Sequence, residues 1–318
     1  MKNSLFRLLL LALGAAMFVG TASAGVTVPS WDFLSCDDLL NEYDNAGHVL
    51  RSFPEAMDGY DVTINPATGN IFASDPTNDR IYAIDDADRS VYAISNSVFN
   101  GPHDLAFHPT NGMLYATNRG ANRIVEMWVE LPSLPMSVVF VSSSVIGQPE
   151  GGWGGLDDPS GIAFDGCGTM YVSSGADEIV VLEPGGSYDY SRTMCPTGLS
   201  DPGGLAYYDG YLYVVSKDNN SVLKVDPVDG SVEYVISDHL TGPTGIAVAL
   251  GNDPGLLVAD ASGVAVFDLE SGAWAGTVDV GPMTGVQPTG AGSAVIPEPV
   301  TLAMLGIGLG GLAYRRKK

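Results

Sequence analysis

The chain is expected to be all-β, a ring of repeated four-stranded sheets of the β-propeller kind, and three observations lead there. The first is composition: 40 Gly and 14 Tyr among 318 residues, with many Val and Ile and no long amphipathic helix, read as short strands joined by tight turns. The second is internal similarity, because five segments share one pattern and place Asp61, Asp104, Gly161, Gly204 and Gly245 at equivalent positions, spaced by 43, 57, 43 and 41 residues. The third is physical. One four-stranded sheet cannot bury both of its faces, so a period near 40 made of four short strands implies blades stacked around an axis.

The segments are MDGYDVTINPATGNIFASDPTNDRIYAID (57 to 85), GPHDLAFHPTNGMLYATNRGANRIVEMW (101 to 128), DPSGIAFDGCGTMYVSSGADEIVVLEP (158 to 184), DPGGLAYYDGYLYVVSKDNNSVLKVDP (201 to 227) and GPTGIAVALGNDPGLLVADASGVAVFD (242 to 268). Each runs from a Gly or Asp-Pro turn into a short apolar strand, turns into an aromatic-rich strand, crosses a polar Asp/Asn loop and ends in an alternating strand. The phrases YAIDDADRSVYAIS and LKVDPVDGSVEYVIS predict that the third and outermost strands form a hairpin over an Asp/Gly-type turn. LNEYDNAGHVLRSF (40 to 53) has the shape of such an outer pair with no inner pair before it. Its inner half is sought in GPMTGVQPTGAGSAVIP (281 to 297), whose start echoes GPTGIAV. The expected ring then has six blades, five whole and one split between the chain ends, which hides the sheet edges of an open ring. Five blades, with 281 to 297 as a linker, is the alternative.

Both termini carry address-like patterns. Lys2 and Arg7, the apolar stretch 8 to 20 and Ala22-Ser23-Ala24 form a signal peptide expected to be cut between Ala24 and Gly25. At the other end stand Pro297, Glu298 and Pro299, fifteen apolar residues, then Arg315, Arg316, Lys317 and Lys318. As a helix the apolar run is about 22 Å long, short of a roughly 30 Å hydrocarbon core. This tail closely resembles the PEP-CTERM sorting signal of Gram-negative, exopolysaccharide-producing bacteria. The resemblance covers 24 residues and implies a membrane sorting helix, an exosortase-type processing partner and delivery to the cell surface or extracellular matrix. The domain plan is therefore signal peptide 1–24, lead-in 25–39, propeller 40–296 and sorting signal 297–318.

Charge excludes some partners. Setting aside Lys2, Arg7 and the four basic residues of the tail leaves eight Lys and Arg against 37 Asp and Glu, a balance that repels nucleic acid and anionic membrane surfaces. The phrases ASDPTNDRIYAID, ATNRGANRIVEMW and VVSKDNNSVLKVD resemble the NHL-type repeat. That likeness implies a six-bladed scaffold and leaves function open, since binding scaffolds, lactonases and lyases share it.

Propeller sites gather where inner strands start around the channel. There the pattern places Tyr60, Asp61, His103, Asp104, Ser160 and Thr244, with Asp75, Asn118, Asp218 and Asp260 on loops after the second strands. Such oxygens suit Ca²⁺; equally, turns need Asp, Asn and Ser. Gluconolactonase-like propellers carry an Asn before the inner-strand Gly, where this chain has Ser160, Gly203 and Thr244, a departure from that enzyme family. Of His48, His103, His108 and His239 only His103 falls at a strand start, which disfavours a three-histidine zinc site. Asp104 cannot orient His103 as a dyad, because neighbours on a strand point to opposite faces. DDADRS (85 to 90) and DPVDGS (226 to 231) lack the spacing of a calcium loop and read as hairpin turns. A longer spacing between the second and third segments places Trp153 in a Gly-rich loop, where it would stack on a sugar or pack on a blade edge. Cys167 and Cys195 are expected at opposite faces and unbonded, and neither pairs better with Cys36. The expected function is a non-catalytic binding or structural component of the envelope or exopolysaccharide layer, its partner a polysaccharide or surface protein; the alternative is a lactonase-like hydrolase or lyase with a channel-bound divalent cation.

Overall fold

In the computed structural model the described residues are 33–36, 39–44, 46–56, 58–85, 90–129, 144–146, 155–175, 177–184, 188–250, 254–281 and 283–288. The expected signal peptide, the sorting tail and Trp153 lie outside them. Among the described residues no helix is long and apolar enough to cross a membrane, and the fold is an all-β propeller.

The strands are β1 (Phe33–Cys36), β2 (Leu39–Tyr43) and β3 (Val49–Ala56), then five consecutive groups of four. Blade one holds β4 (Val62–Ile64), β5 (Ile71–Asp75), β6 (Arg80–Ile84) and β7 (Val91–Ser95). Blade two holds β8 (Pro102–Phe107), β9 (Leu114–Asn118), β10 (Arg123–Met127) and β11 (Ser144–Ile146). Blade three holds β12 (Ile162–Phe164), β13 (Met170–Ser174), β14 (Glu178–Glu183) and β15 (Asp189–Met194). Blade four holds β16 (Pro202–Tyr208), β17 (Tyr211–Ser216), β18 (Ser221–Val225) and β19 (Val232–Ile236). Blade five holds β20 (Ile246–Ala249), β21 (Gly255–Asp260), β22 (Gly263–Asp268) and β23 (Trp274–Val278). Finally β24 (Gly285–Pro288) returns to pair antiparallel with β1, giving a sheet in the order β24-β1-β2-β3.

This last sheet corrects one detail of the sequence reading. Residues 281 to 297 are expected from sequence to supply both inner strands, but among the described residues β24 alone comes from there, and the second strand is β1, inside the supposed lead-in. The register Phe33↔Pro288 to Cys36↔Gly285 joins segments about 250 residues apart. DPVDGS is the turn between β18 and β19, as expected, with Val228 N–H donating to Asp226 Oδ1 at 2.7 Å.

Alternation along the strands sends successive side chains to opposite faces of each sheet, and every gap between neighbouring sheets holds its own apolar cluster. Between blades one and two it includes Phe72, Leu105 and Val125; between blades three and four, Val181, Leu205 and Leu223. The split sheet has one on each side. Met283 and Val286 pack with Val264 and Val266 of blade five, while Leu34, Leu40 and Phe53 pack with Val62 and Ile71 of blade one. A fully buried side chain of this size contributes about 2 kcal/mol, so stacking of sheets dominates the stability.

Polar residues of the repeat are the mortar. Asp79, Asn122, Asp177 and Asn220 each sit at positive φ before a third strand. Their side chains accept from the N–H of Gly101, Asp158, Asp201 and Gly242, at the start of the next blade, at 2.7 to 2.9 Å. Asn and Asp tolerate this left-handed conformation better than other residues with a Cβ, because their short side chains bond locally. That explains the Asp/Asn that recurs before the third strand.

Candidate functional site

The inner strands start together at one mouth of the channel, and there the sheets are tied into a hydrogen-bonded belt. The penultimate residue of each second strand in blades one to three is a hydroxyl. Ser74 Oγ donates to the carbonyl of His103 in blade two, Thr117 Oγ1 to that of Ser160 in blade three at 2.8 Å, and Ser173 Oγ to that of Gly203 in blade four at 2.7 Å. Blades four and five have Val215 and Ala259 in that place, and other groups take over. Gly204 N–H donates to Thr244 O at 2.9 Å, Thr244 Oγ1 donates to Thr284 O at 2.9 Å, and Thr284 Oγ1 donates to Gly59 O at 2.9 Å. The last two bonds run from blade five to the split sheet and from the split sheet to blade one.

The residues singled out from sequence sit on this belt or beside it. Asp61 Oδ2 accepts from Leu105 N–H at 3.0 Å, and Asp104 Oδ2 accepts from Ile162 N–H at 2.7 Å, so each carboxyl reaches one blade forward. The two carboxyls also hydrogen bond to each other. Burial pushes Asp61 up to about 6. It raises Asp104 well above the carboxylate range, with the neighbouring Asp61 charge adding to it. They share a proton because two adjacent desolvated carboxylates repel. At the equivalent position blades three to five have Gly161, Gly204 and Gly245 because the chains there touch. A Cβ on Gly245 would lie 2.5 Å from Thr284 O.

His103 is buried, its ring against that of Tyr60 at 3.3 Å between centroids and tilted by 30°, with Nδ1 3.5 Å from Ser160 Oγ. Burial first, then the charges of Arg119 and Lys217, depress its imidazole to about 3. Burial raises the Tyr60 phenol, whose hydroxyl bonds with Ser160. A neutral imidazole with so low a proton affinity is a poor general base at neutral pH.

Two cations at the mouth were missed from sequence. Arg119 forms a two-pronged ion pair with Asp158, which holds the Asp158 carboxyl below its usual range, and Lys217 pairs with Asp201 at 3.1 Å. Their signal was a basic residue directly after a second strand in a chain with few. The loop oxygens considered for Ca²⁺ are used locally. Asp75 accepts from Asn78 at 3.0 Å, Asn118 Oδ1 from Asn100 N–H at 2.7 Å, and Asp260 Oδ1 from Ser262 N–H at 2.7 Å, while Asp218 lies 3.3 Å from Ser200 Oγ. Among the described residues no three His, Cys, Asp or Glu side chains converge as metal ligands. The other histidines lie elsewhere: His48 against Asp44, His108 in an aromatic cluster with Tyr115 and Phe164, His239 stacked on Trp274. Cys167 and Cys195 are exposed and unbonded, as expected; the side chain of Cys36 lies outside the described set.

No protein-family model and no curated protein matches the chain. Solved structures do. A chain of a nidogen/laminin complex superposes with a TM-score of 0.63, covering 81% of this chain and 97% of its own at 15% identity. A protein of unknown function from Bacteroides caccae gives 0.60, with 82% and 99% covered at 12% identity. A functionally unknown protein from Desulfotomaculum acetoxidans gives 0.54, with 81% and 99% covered at 12% identity. Likeness at such identities establishes the fold and leaves the function to be argued from the site.

Proposed function

We propose that this chain is an exported, surface-sorted propeller, closed as a six-bladed ring by the sheet built from both chain ends, that serves as a non-catalytic binding or structural component of the envelope or exopolysaccharide matrix. The observation that carries the non-catalytic reading is the use made of the channel-mouth groups. Asp61 and Asp104 are spent on main-chain amides of the following blade, the belt hydroxyls on carbonyls, and His103 is depressed to about 3. A hydrolase or lyase needs a base both poised near the working pH and free to meet substrate; Asp61, raised to about 6, meets the first condition but is committed to Leu105 N–H and Asp104 in holding the ring. The address follows from the resemblance of the tail, through Pro297, Glu298 and Pro299.

The test compares the wild type with a chain in which Pro297, Glu298 and Pro299 are all replaced by Ala, in a host that possesses the sorting machinery. The wild type is expected at the surface, shortened by about the mass of the tail, and the variant in the membrane at full length. Equal fractionation and equal mass would overturn the address.

A further inference from the structure

We propose that, while its tail holds it in a membrane, the ring stands with the turns between first and second strands toward the bilayer and its channel mouth turned outward. This rests on the sorting reading above and adds to it the face that is presented to a partner.

The split sheet fixes the point where the chain leaves the ring. In blades one to four the first and second strands are joined by a short turn on the face opposite the mouth. These turns are closed by Asn65 N–H to Asn70 O at 2.8 Å, His108 N–H to Met113 O at 2.9 Å, Asp165 N–H to Thr169 O at 3.1 Å and the pair Tyr208↔Tyr211. The split sheet has its two chain ends in that place. Thr284, at the mouth, donates to Gly59 O; β24 then runs away from the mouth to Pro288, which pairs with Phe33 at the start of β1. Opposed residues of an antiparallel pair have Cα atoms about 5 Å apart. Both ends therefore leave the ring side by side, at one point on the turn face.

The length of the tether sets the orientation. The apolar run of the tail begins at Val300, so residues 289 to 299 join the ring to the membrane. Eleven residues reach at most about 38 Å. With the turn face down, none of that length is used in passing the ring. With the mouth down, the chain has to run outward past β2 and β3, about 10 Å, and then climb the height of a five-residue strand, about 17 Å. That takes about 27 Å before the bilayer is met and demands a chain drawn nearly straight, which conformational entropy opposes. The address at the other end agrees. Gly25, expected to begin the mature chain, lies eight residues before Phe33, so the signal peptide pulls on the same point.

Charge leaves the orientation to the tether. The turns 65–70, 108–113, 165–169 and 209–210 contain no Lys or Arg, and so nothing that would hold an anionic headgroup. Arg119 and Lys217 stand at the mouth instead, paired with Asp158 and Asp201.

The experiment places the chain, with its tail, in phosphatidylcholine vesicles containing a lipid with a nitroxide headgroup, and reads the quenching of a maleimide-linked fluorophore at two sites. Cys195→Ser leaves the exposed Cys167, in the turn after β12, as the reporter of the turn face. Cys167→Ser with Cys195→Ser and Asp218→Cys moves the reporter to the exposed loop after β17, at the mouth. Cys36 is common to both chains and contributes equally. Quenching several-fold stronger from Cys167 than from position 218 is expected. Equal quenching, or stronger quenching at position 218, in chains that float with the vesicles would overturn the orientation and leave the address standing. Chains that do not float would overturn both. Residues 25–296 with the same reporters should show no quenching at either site; quenching there as strong as in the tailed chain would mean a ring that adheres by itself, and would overturn the tether argument.

Discussion

Removing β24 should cost the protein its fold, and the structure sets the scale. A chain ending at residue 280 loses the Met283 and Val286 side chains, 8% and 2% exposed, worth about 2 kcal/mol each when fully buried. It also loses Met283 N–H to Asp260 O, Thr244 Oγ1 to Thr284 O, Thr284 Oγ1 to Gly59 O and the ladder to β1. Counting about five such bonds at about 1 kcal/mol each, the loss comes to about 9 kcal/mol. That is comparable to the 5–15 kcal/mol that holds a typical domain together. A chain of residues 25–296 keeps all of these contacts. Thermal unfolding followed by circular dichroism should show a cooperative transition for 25–296, and for 25–280 either no transition or a midpoint lower by about 20 °C or more. Equal midpoints would refute the reasoning: the split sheet would then be an ornament, and five blades would hold the ring alone.

Three further outcomes follow from the belt and the turns. Thr117→Val leaves Ser160 O and Asp104 N–H without the hydroxyl that now serves both, so a loss of about 2–3 kcal/mol is expected in denaturant melts; no change would remove the belt as a source of stability. Gly245→Ala drives a Cβ to 2.5 Å from Thr284 O and should cost about 3 kcal/mol by forcing blade five away from the split sheet, readable in the same melts. Asp61 and Asp104 are both raised, so the folded state holds a proton more tightly than the unfolded one; their contribution is full below about pH 4 and is lost as pH rises through about 6 and beyond. The midpoint should therefore fall between pH 5 and pH 8, and fall less in Asp104→Asn, whose amide can still accept from Ile162 N–H and donate to Asp61; an identical slope in the variant would refute the shared proton.

How much of this was legible depended on whether the signal was local. The five blades were, because each repeats the same turns; the Asp or Asn before the third strand in blades one to four was visible as a recurring residue, although its bond to the next blade was not. β1 was not. Its four residues, FLSC, have no counterpart within the lead-in, and their partner β24 lies at the other end of the chain. Sequence spacing collected Tyr60, His103, Ser160 and Thr244 at one mouth correctly, because inner strands all start there. It could not tell what they do, since Asp61 acquires its role only from Leu105 N–H in the next blade.

The equivalent positions Asp61, Asp104, Gly161, Gly204 and Gly245 carry the argument one step further. Read as a column of aligned residues, they look like a ligand set with three members missing. Read across blade junctions, they are two solutions to one problem of closure. Where the column holds Asp, the carboxyl spans the gap to the next blade's amide. Where it holds Gly, a Cβ would press on the main chain of the next sheet, and Gly204 N–H bonds straight to Thr244 O. Restoring an aspartate at Gly245 would therefore not complete a metal site; it would push apart the junction that joins blade five to the split sheet, and the protein should lose stability with calcium present or absent.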